Sequence, residues 1–179
     1  MTGRFENKVV IVTGASGGLG GAIAVAFARE GAQVVGIARS SQDDIAIEAG
    51  GKYHAIPLDL GAASPAELAG MIGDIVKRFG RIDALVNNAG IIRRAPAIEY
   101  SQKDWDDCIR VNLTAPFFLS QAVAKWWIEK GRAASTAAAV ADVRLRIINI
   151  ASLLSFQGGI LVPAYAASKL DPVVALRYE

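Results

Sequence analysis

The chain has 179 residues, 53% of them hydrophobic and 20% charged, a balance that suits one folded domain and excludes global disorder. Its 19 basic and 17 acidic side chains leave a net charge of +2, so nucleic acid has no overall charge to bind, and no basic cluster exceeds Arg93-Arg94. A single cysteine, Cys108, and a single histidine, His54, exclude an internal disulfide and offer zinc no ligand set.

In chain order, Met1 to Lys8 lacks the apolar centre of a secretion signal, and no later stretch reaches the roughly 18 apolar residues that span a bilayer. A reduced, cytoplasmic setting without a membrane partner is the expectation. Val9-Val10-Ile11-Val12 is a β-branched run of the kind that a parallel sheet buries on both faces. From Leu19 to Arg29, Ala22, Ile23, Ala26 and Phe27 recur at helical spacing, with Gly31 as a stop signal. Strands follow at Gln33 to Ile37 and around His54 to Leu58. A helix is predicted over Pro65 to Phe79, opened by Ser64 as N-cap with Pro65 and Glu67 behind it.

A fourth strand is predicted at Asp83 to Val86, a long amphipathic helix over roughly Gln102 to Glu129, and a fifth strand at Leu145 to Ile150. The Ala/Ser/Thr-rich residues 131–144 read as a surface insertion, an exposed loop or a short solvent-facing helix, within a single domain, 1–179, and not as a boundary. Strands alternating with helices predict a doubly wound parallel α/β sheet with right-handed crossovers and strand order 3-2-1-4-5.

Between the first strand and the first helix lies Thr13-Gly14-Ala15-Ser16-Gly17-Gly18-Leu19-Gly20. A glycine-rich turn there lets backbone approach a pyrophosphate, and the helix N-terminus supplies N–H donors and a positive dipole end. Gly14, Ser16, Gly17, Gly18, Leu19 and Gly20 are therefore candidate cofactor residues. At the end of the second strand, where an acidic residue would hold the ribose hydroxyls of NAD, the chain carries Ala38, Arg39 and Ser40. An arginine there can pair bidentately with a 2′-phosphate, which favours NADP.

Tyr165 and Lys169, four apart after Pro163, share one helical face. A neighbouring ammonium stabilises a phenolate and brings it towards the range useful for proton transfer.

The Gly-x-x-x-Gly-x-Gly spacing resembles the short-chain dehydrogenase/reductase family, and the resemblance runs from Lys8 to Lys169. Asn87-Asn88-Ala89-Gly90 is similar to that family's adenine-side motif, and Asp59, followed by Leu60, to the residue that meets the adenine amino group. Asn112, Ser152, Tyr165 and Lys169 match the family tetrad in order and spacing. The resemblance implies a Rossmann fold and interconversion of a carbonyl and an alcohol. Tyr165 then exchanges a proton with the substrate oxygen, Ser152 hydrogen-bonds the carbonyl, Lys169 grips the nicotinamide ribose, and Asn112 holds a relay water where it interrupts the long helix.

The segments around Arg93-Arg94, Lys103 to Asp107 and Ile147 to Gly159 resemble a sugar-acid subgroup of the family. That implies a substrate such as 2-deoxy-D-gluconate or 2-dehydro-3-deoxy-D-gluconate, its carboxylate met by Arg93 or Arg94 and a hydroxyl by Gln157. The subgroup is usually NAD-linked whereas Arg39 favours NADP, so both cofactors stay open. Cys108 and Trp105 are expected in core or interface packing, His54 in a structural place, and Trp126 and Trp127 at a subunit contact or as a lone apolar surface pair.

Members of the family continue well past the lysine with a sixth and a seventh strand, and full-length members are commonly homotetramers. This chain ends at Glu179, and Pro172 would end or kink a helix begun near Pro163. A C-terminally shortened enzyme is the expectation; the alternative is a catalytically incompetent nucleotide-binding or interaction fragment.

Overall fold

A computed structural model describes residues 3–133 and 145–152. The elements are β1 (Val9–Thr13), α1 (Gly18–Arg29), β2 (Gln33–Ala38), α2 (Asp43–Glu48), β3 (Tyr53–Pro57), α3 (Pro65–Phe79), β4 (Ala84–Asn87), α4 (Gln102–Ile109), α5 (Ala115–Ala133) and β5 (Arg146–Asn149). A 3₁₀ turn at Ala97–Glu99 precedes α4, and a turn of π-helix at Arg110–Thr114 joins α4 to α5. The five strands form one sheet in the order β3-β2-β1-β4-β5, and all pairings are parallel.

All five residues of β1 are buried, and their alternation decides which helix each one meets. Val9 and Ile11 join Val35, Ile37 and Leu85 against Leu68, Ile72 and Ile75 of α3 and Leu119 and Val123 of α5. Val10 and Val12 join Val34 and Val86 against Ala24 and Ala28 of α1. The β-branched run is thus a strand sealed on both faces, with small residues on α1 allowing close approach. Burying each large side chain contributes about 1.5–3 kcal/mol.

Helix α3 has the termini that its sequence predicts. The Ser64 hydroxyl accepts from Glu67 N–H, the Glu67 carboxylate accepts from Ser64 N–H, and Pro65 opens the helix. Gly80 ends it in the left-handed region, at φ +75°, where a glycine carries no Cβ penalty.

The long helix predicted over Gln102 to Glu129 is interrupted by the π turn at Arg110–Thr114, which holds Asn112, the residue expected to interrupt it. Two features differ from expectation. Helix α5 runs to Ala133, so the first three residues of the expected insertion are helical, while 134–144 lie outside the described residues. Helix α2 falls between the second and third strands, where no helix is predicted; none of its six residues is fully buried and Ile45 packs only in part against the core, so no amphipathic stripe announces it.

Because the strands are parallel, the turns after β1, β2, β4 and β5 open at one edge of the sheet. The order reverses between β1 and β4, with α1 covering one face and α3 and α5 the other. A crevice at that reversal is where doubly wound sheets take their ligands.

Candidate functional site

The crevice is present as a cavity of about 200 Å³. Gly14 and Ser16 contribute from the turn after β1, Arg39 and Ser40 from the end of β2, and Leu58, Asp59 and Leu60 from the turn after β3. Ala89, Gly90 and Ile91 follow β4, and Val111 comes from the π turn. Seven predicted cofactor residues, Gly14, Ser16, Arg39, Asp59, Leu60, Ala89 and Gly90, therefore share one wall of space.

Thr13 holds two sides of this cavity together. Its hydroxyl, 1% exposed, accepts from Asn88 N–H at 3.0 Å and Ala89 N–H at 2.9 Å, and donates to Val86 O at 3.4 Å. The Asn88 side chain returns a hydrogen bond from Nδ2 to Thr13 O at 3.0 Å. The turns after β1 and β4 are thereby fixed to one another, and two backbone N–H groups that strand pairing leaves over are satisfied.

The glycines of the first turn divide by task. Gly14 lies at φ +68°, and a Cβ there would stand 3.0 Å from Ala89 Cα. A Cβ on Gly20 would meet Gly14 O at 2.2 Å and Asn88 Nδ2 at 2.4 Å, so Gly20 is a packing glycine. Around Gly17 and Gly18 a Cβ would meet nothing within 4 Å. Helix α1 has no side-chain cap and no acidic residue in its first turn. Leu19, in that turn, is exposed. Open space, uncapped N–H donors and the dipole end together make a surface that accepts phosphate oxygens.

At the far rim, Asp59 is held by one oxygen, Oδ1, which accepts from Gly61 N–H at 2.8 Å. Its Oδ2 stands 4.0 Å from Arg39 Nη1, both side chains being largely exposed. The Leu60 side chain points into the core beneath the cavity.

The tetrad residues are described in part. Asn112 sits in the π turn, where its Oδ1 accepts from Ile91 N–H and its Nδ2 donates to Ile91 O, both at 2.8 Å. Ser152 is exposed, three residues beyond the end of β5. β5 is tied to β4 by Ile150 N–H to Asn87 O at 2.9 Å. Tyr165, Lys169 and Gln157 lie outside the described residues.

Two predicted ligands are otherwise engaged. The Asn87 side chain, 4% exposed, does not reach the cavity. Its Nδ2 donates to Asn149 Oδ1 at 2.8 Å and Ser120 Oγ at 3.1 Å, joining β4 to β5 and α5. Its Oδ1 is buried and unpartnered among the described residues. Arg93 places Nε 3.4 Å from Asp104 and Nη2 3.7 Å from Asp107, so it meets any ligand as a cation already paired with α4. Hydrogen bonding from Lys103 and the nearby Lys103 and Arg93 charges hold the Asp107 carboxyl below its ordinary pKa. Arg94 is exposed and forms no ion pair among the described residues.

Sequence reasoning passes over Thr13, Asn88, Ser40 and Val111. Thr13 and Asn88 stand inside quoted motifs, and their signal is that a polar residue ends a buried strand and must find partners there. Val111 has no sequence signal. Trp105 is 60% exposed, which is surface and not core. His54 lies in β3 with its ring 5.8 Å from that of Phe79, a structural place, and Trp126 packs against the larger core cluster.

A switch-point crevice with a glycine turn, an uncapped helix N-terminus and an arginine at the end of the second strand defines the class: a doubly wound dinucleotide-binding fold. The chain belongs to the short chain dehydrogenase family, whose profile matches residues 8–172. It is 41% identical over 172 residues to a 2-dehydro-3-deoxy-D-gluconate 5-dehydrogenase of Dickeya dadantii, covering 94% of this chain and 62% of that relative. Among solved structures, a short chain dehydrogenase from Bacillus anthracis superposes with a TM-score of 0.77 at 33% identity, covering 97% of this chain and 68% of that one. A protein assigned as a 2-deoxy-D-gluconate 3-dehydrogenase from Agrobacterium tumefaciens, with bound NADP, gives 0.72 at 42% identity, covering 97% and 66%. The chain spans less than two thirds of the length of the Dickeya relative.

Proposed function

We propose that this chain carries the cofactor half and the tetrad of an NADP(H)- or NAD(H)-dependent dehydrogenase acting on a sugar acid such as 2-deoxy-D-gluconate or 2-dehydro-3-deoxy-D-gluconate. The observation that carries this reading is the cavity at the β1/β4 reversal. The diphosphate would rest over Gly17, Gly18 and the first turn of α1, the adenosine end between Arg39, Ser40 and Asp59, and the central ribose along Ala89 and Gly90. NADP is the preferred cofactor, supported by Arg39 and by the NADP that the Agrobacterium relative binds. The bound nicotinamide supplies the hydride acceptor or donor.

The chain's own groups do the rest. Ser152 hydrogen-bonds the substrate carbonyl or hydroxyl, and Tyr165 gives a proton to that oxygen on reduction or takes it on oxidation. Lys169 favours the phenolate by its charge and holds the ribose. Asn112 braces Ile91 and so fixes the nicotinamide-side loop. Arg94 takes the substrate carboxylate and Gln157 a hydroxyl.

A cytoplasmic setting completes the proposal, with the homotetramer expected of full-length relatives. The tetramer is supported by the exposed apolar side chains of Trp105, Leu113 and Phe117 along α4, the π turn and α5, between 58% and 61% exposed, and the setting by the free thiol of Cys108.

The test is nicotinamide absorbance with 2-dehydro-3-deoxy-D-gluconate and each reduced cofactor in turn. Substrate-dependent oxidation that is lost in Tyr165→Phe supports the reading. Cofactor binding without oxidation would make the chain a nucleotide-binding unit without turnover.

A further inference from the structure

We propose that Asp59 sets the cofactor preference of this site by neutralising Arg39, so that the Arg39–Asp59 pair holds the pocket between NAD and NADP. The inference rests on reading the cavity as a dinucleotide site.

The geometry gives the two carboxylate oxygens different tasks. Oδ1 is fixed by Gly61 N–H at 2.8 Å, which aims Oδ2 at the Arg39 guanidinium, 4.0 Å away. Both residues line the same cavity, with Ser40 beside them. Arg39 therefore meets any ligand as half of a pair and not as an isolated cation.

The two cofactors meet that pair differently. NAD brings no charge to the ribose 2′ position, so Arg39 remains against Asp59. NADP brings a phosphate that gains the guanidinium only by drawing it away from the Asp59 carboxylate, 4.0 Å from it in the unliganded pair. Asp59 thus weakens NADP relative to NAD, and it does so through Arg39. An exposed pair at this distance is screened and modest in strength, so its expected effect is a shift of preference and not an all-or-none choice. Any contact between Asp59 and the adenine base is common to both cofactors and cancels from their ratio.

The experiment is titration calorimetry of NADP⁺ and NAD⁺ with the wild-type chain, Asp59→Asn, Arg39→Ala and the double variant, each checked for a cooperative thermal melt. Asparagine keeps the shape and the Oδ1 acceptor for Gly61 while removing the charge. Asp59→Asn is expected to raise the preference for NADP about two- to fivefold. In the Arg39→Ala background the same change should shift the ratio less than about twofold. An unchanged or lowered NADP preference in Asp59→Asn, or equal shifts in both backgrounds, would overturn the pairing while leaving the cavity a dinucleotide site. No binding of either dinucleotide by the wild-type chain would instead overturn the proposed function on which the pairing rests.

Discussion

Asn112 and Ile91 form a closed pair: the asparagine amide both accepts from and donates to the main chain of Ile91, each at 2.8 Å. The pair joins the π turn to the loop after β4, and Ile91 lines the cavity. Asn112→Ala should cost about 1–2 kcal/mol and should speed hydrogen exchange of the Ile91 amide. Asn112→Asp should cost at least as much at neutral pH, because a carboxylate oxygen would face Ile91 O. Urea denaturation and amide exchange measure both.

Thr13 separates hydrogen bonding from shape. Thr13→Val keeps the volume but strands the N–H groups of Asn88 and Ala89, and should cost about 2–3 kcal/mol. It should also weaken dinucleotide binding by loosening Ala89 and Gly90. Thr13→Ser keeps the oxygen and should lose under about 1 kcal/mol. Equal losses in the two variants would assign the effect to the methyl group and not to the hydroxyl.

Gly20 and Gly18 should fail in different ways. Gly20→Ala drives a Cβ into Gly14 O at 2.2 Å, backbone against which nothing flexible yields. Its thermal melt should collapse, with a loss above about 3 kcal/mol. Gly18→Ala meets open space at φ +54°, so stability should fall by only about 1–2 kcal/mol. The added methyl stands where the diphosphate is proposed to lie, so dinucleotide affinity should fall further than stability.

His54, the one histidine in the chain, has its pKa lowered from 6.5 by burial and by the charge of Arg78. Below 6.5 the unfolded chain therefore binds protons that the folded chain refuses. His54 contributes stability that is complete above 6.5 and declines as pH falls from there through the folded-state value. The single histidine proton resonance should titrate below 6.5, and His54→Gln should flatten the stability profile across that range. A titration at or above 6.5 would contradict the packing of β3 against Phe79.

The parts of this fold legible in sequence are those where a local pattern has one solution. Val9 to Val12 can be little but a doubly buried strand, and Ser64-Pro65 with Glu67 places the start of α3 on the residue. The glycine turn is legible because Gly14 and Gly20 answer steric demands that no other residue meets. What sequence hides is set by partners distant along the chain. Arg93 reads as a free cation until α4 brings Asp104 and Asp107 to it. Asn87 reads as a ligand until Ser120 and Asn149 claim its amide. Arg39 reads as a phosphate site, and only the turn at Gly61 shows that a carboxylate already faces it. Helix α2 is short and packs Ile45 only part-buried against the core, too little for periodicity to announce it.

The central claim is that the cavity at the β1/β4 reversal takes a nicotinamide dinucleotide. Titration calorimetry with NADPH, paired with thermal melts at rising ligand, tests it most directly. Saturable one-to-one binding is predicted, with a melting temperature that climbs with ligand concentration as linkage requires and a weaker response in Gly18→Ala. Absence of heat together with an unshifted melt, in a chain that unfolds cooperatively, would contradict the account.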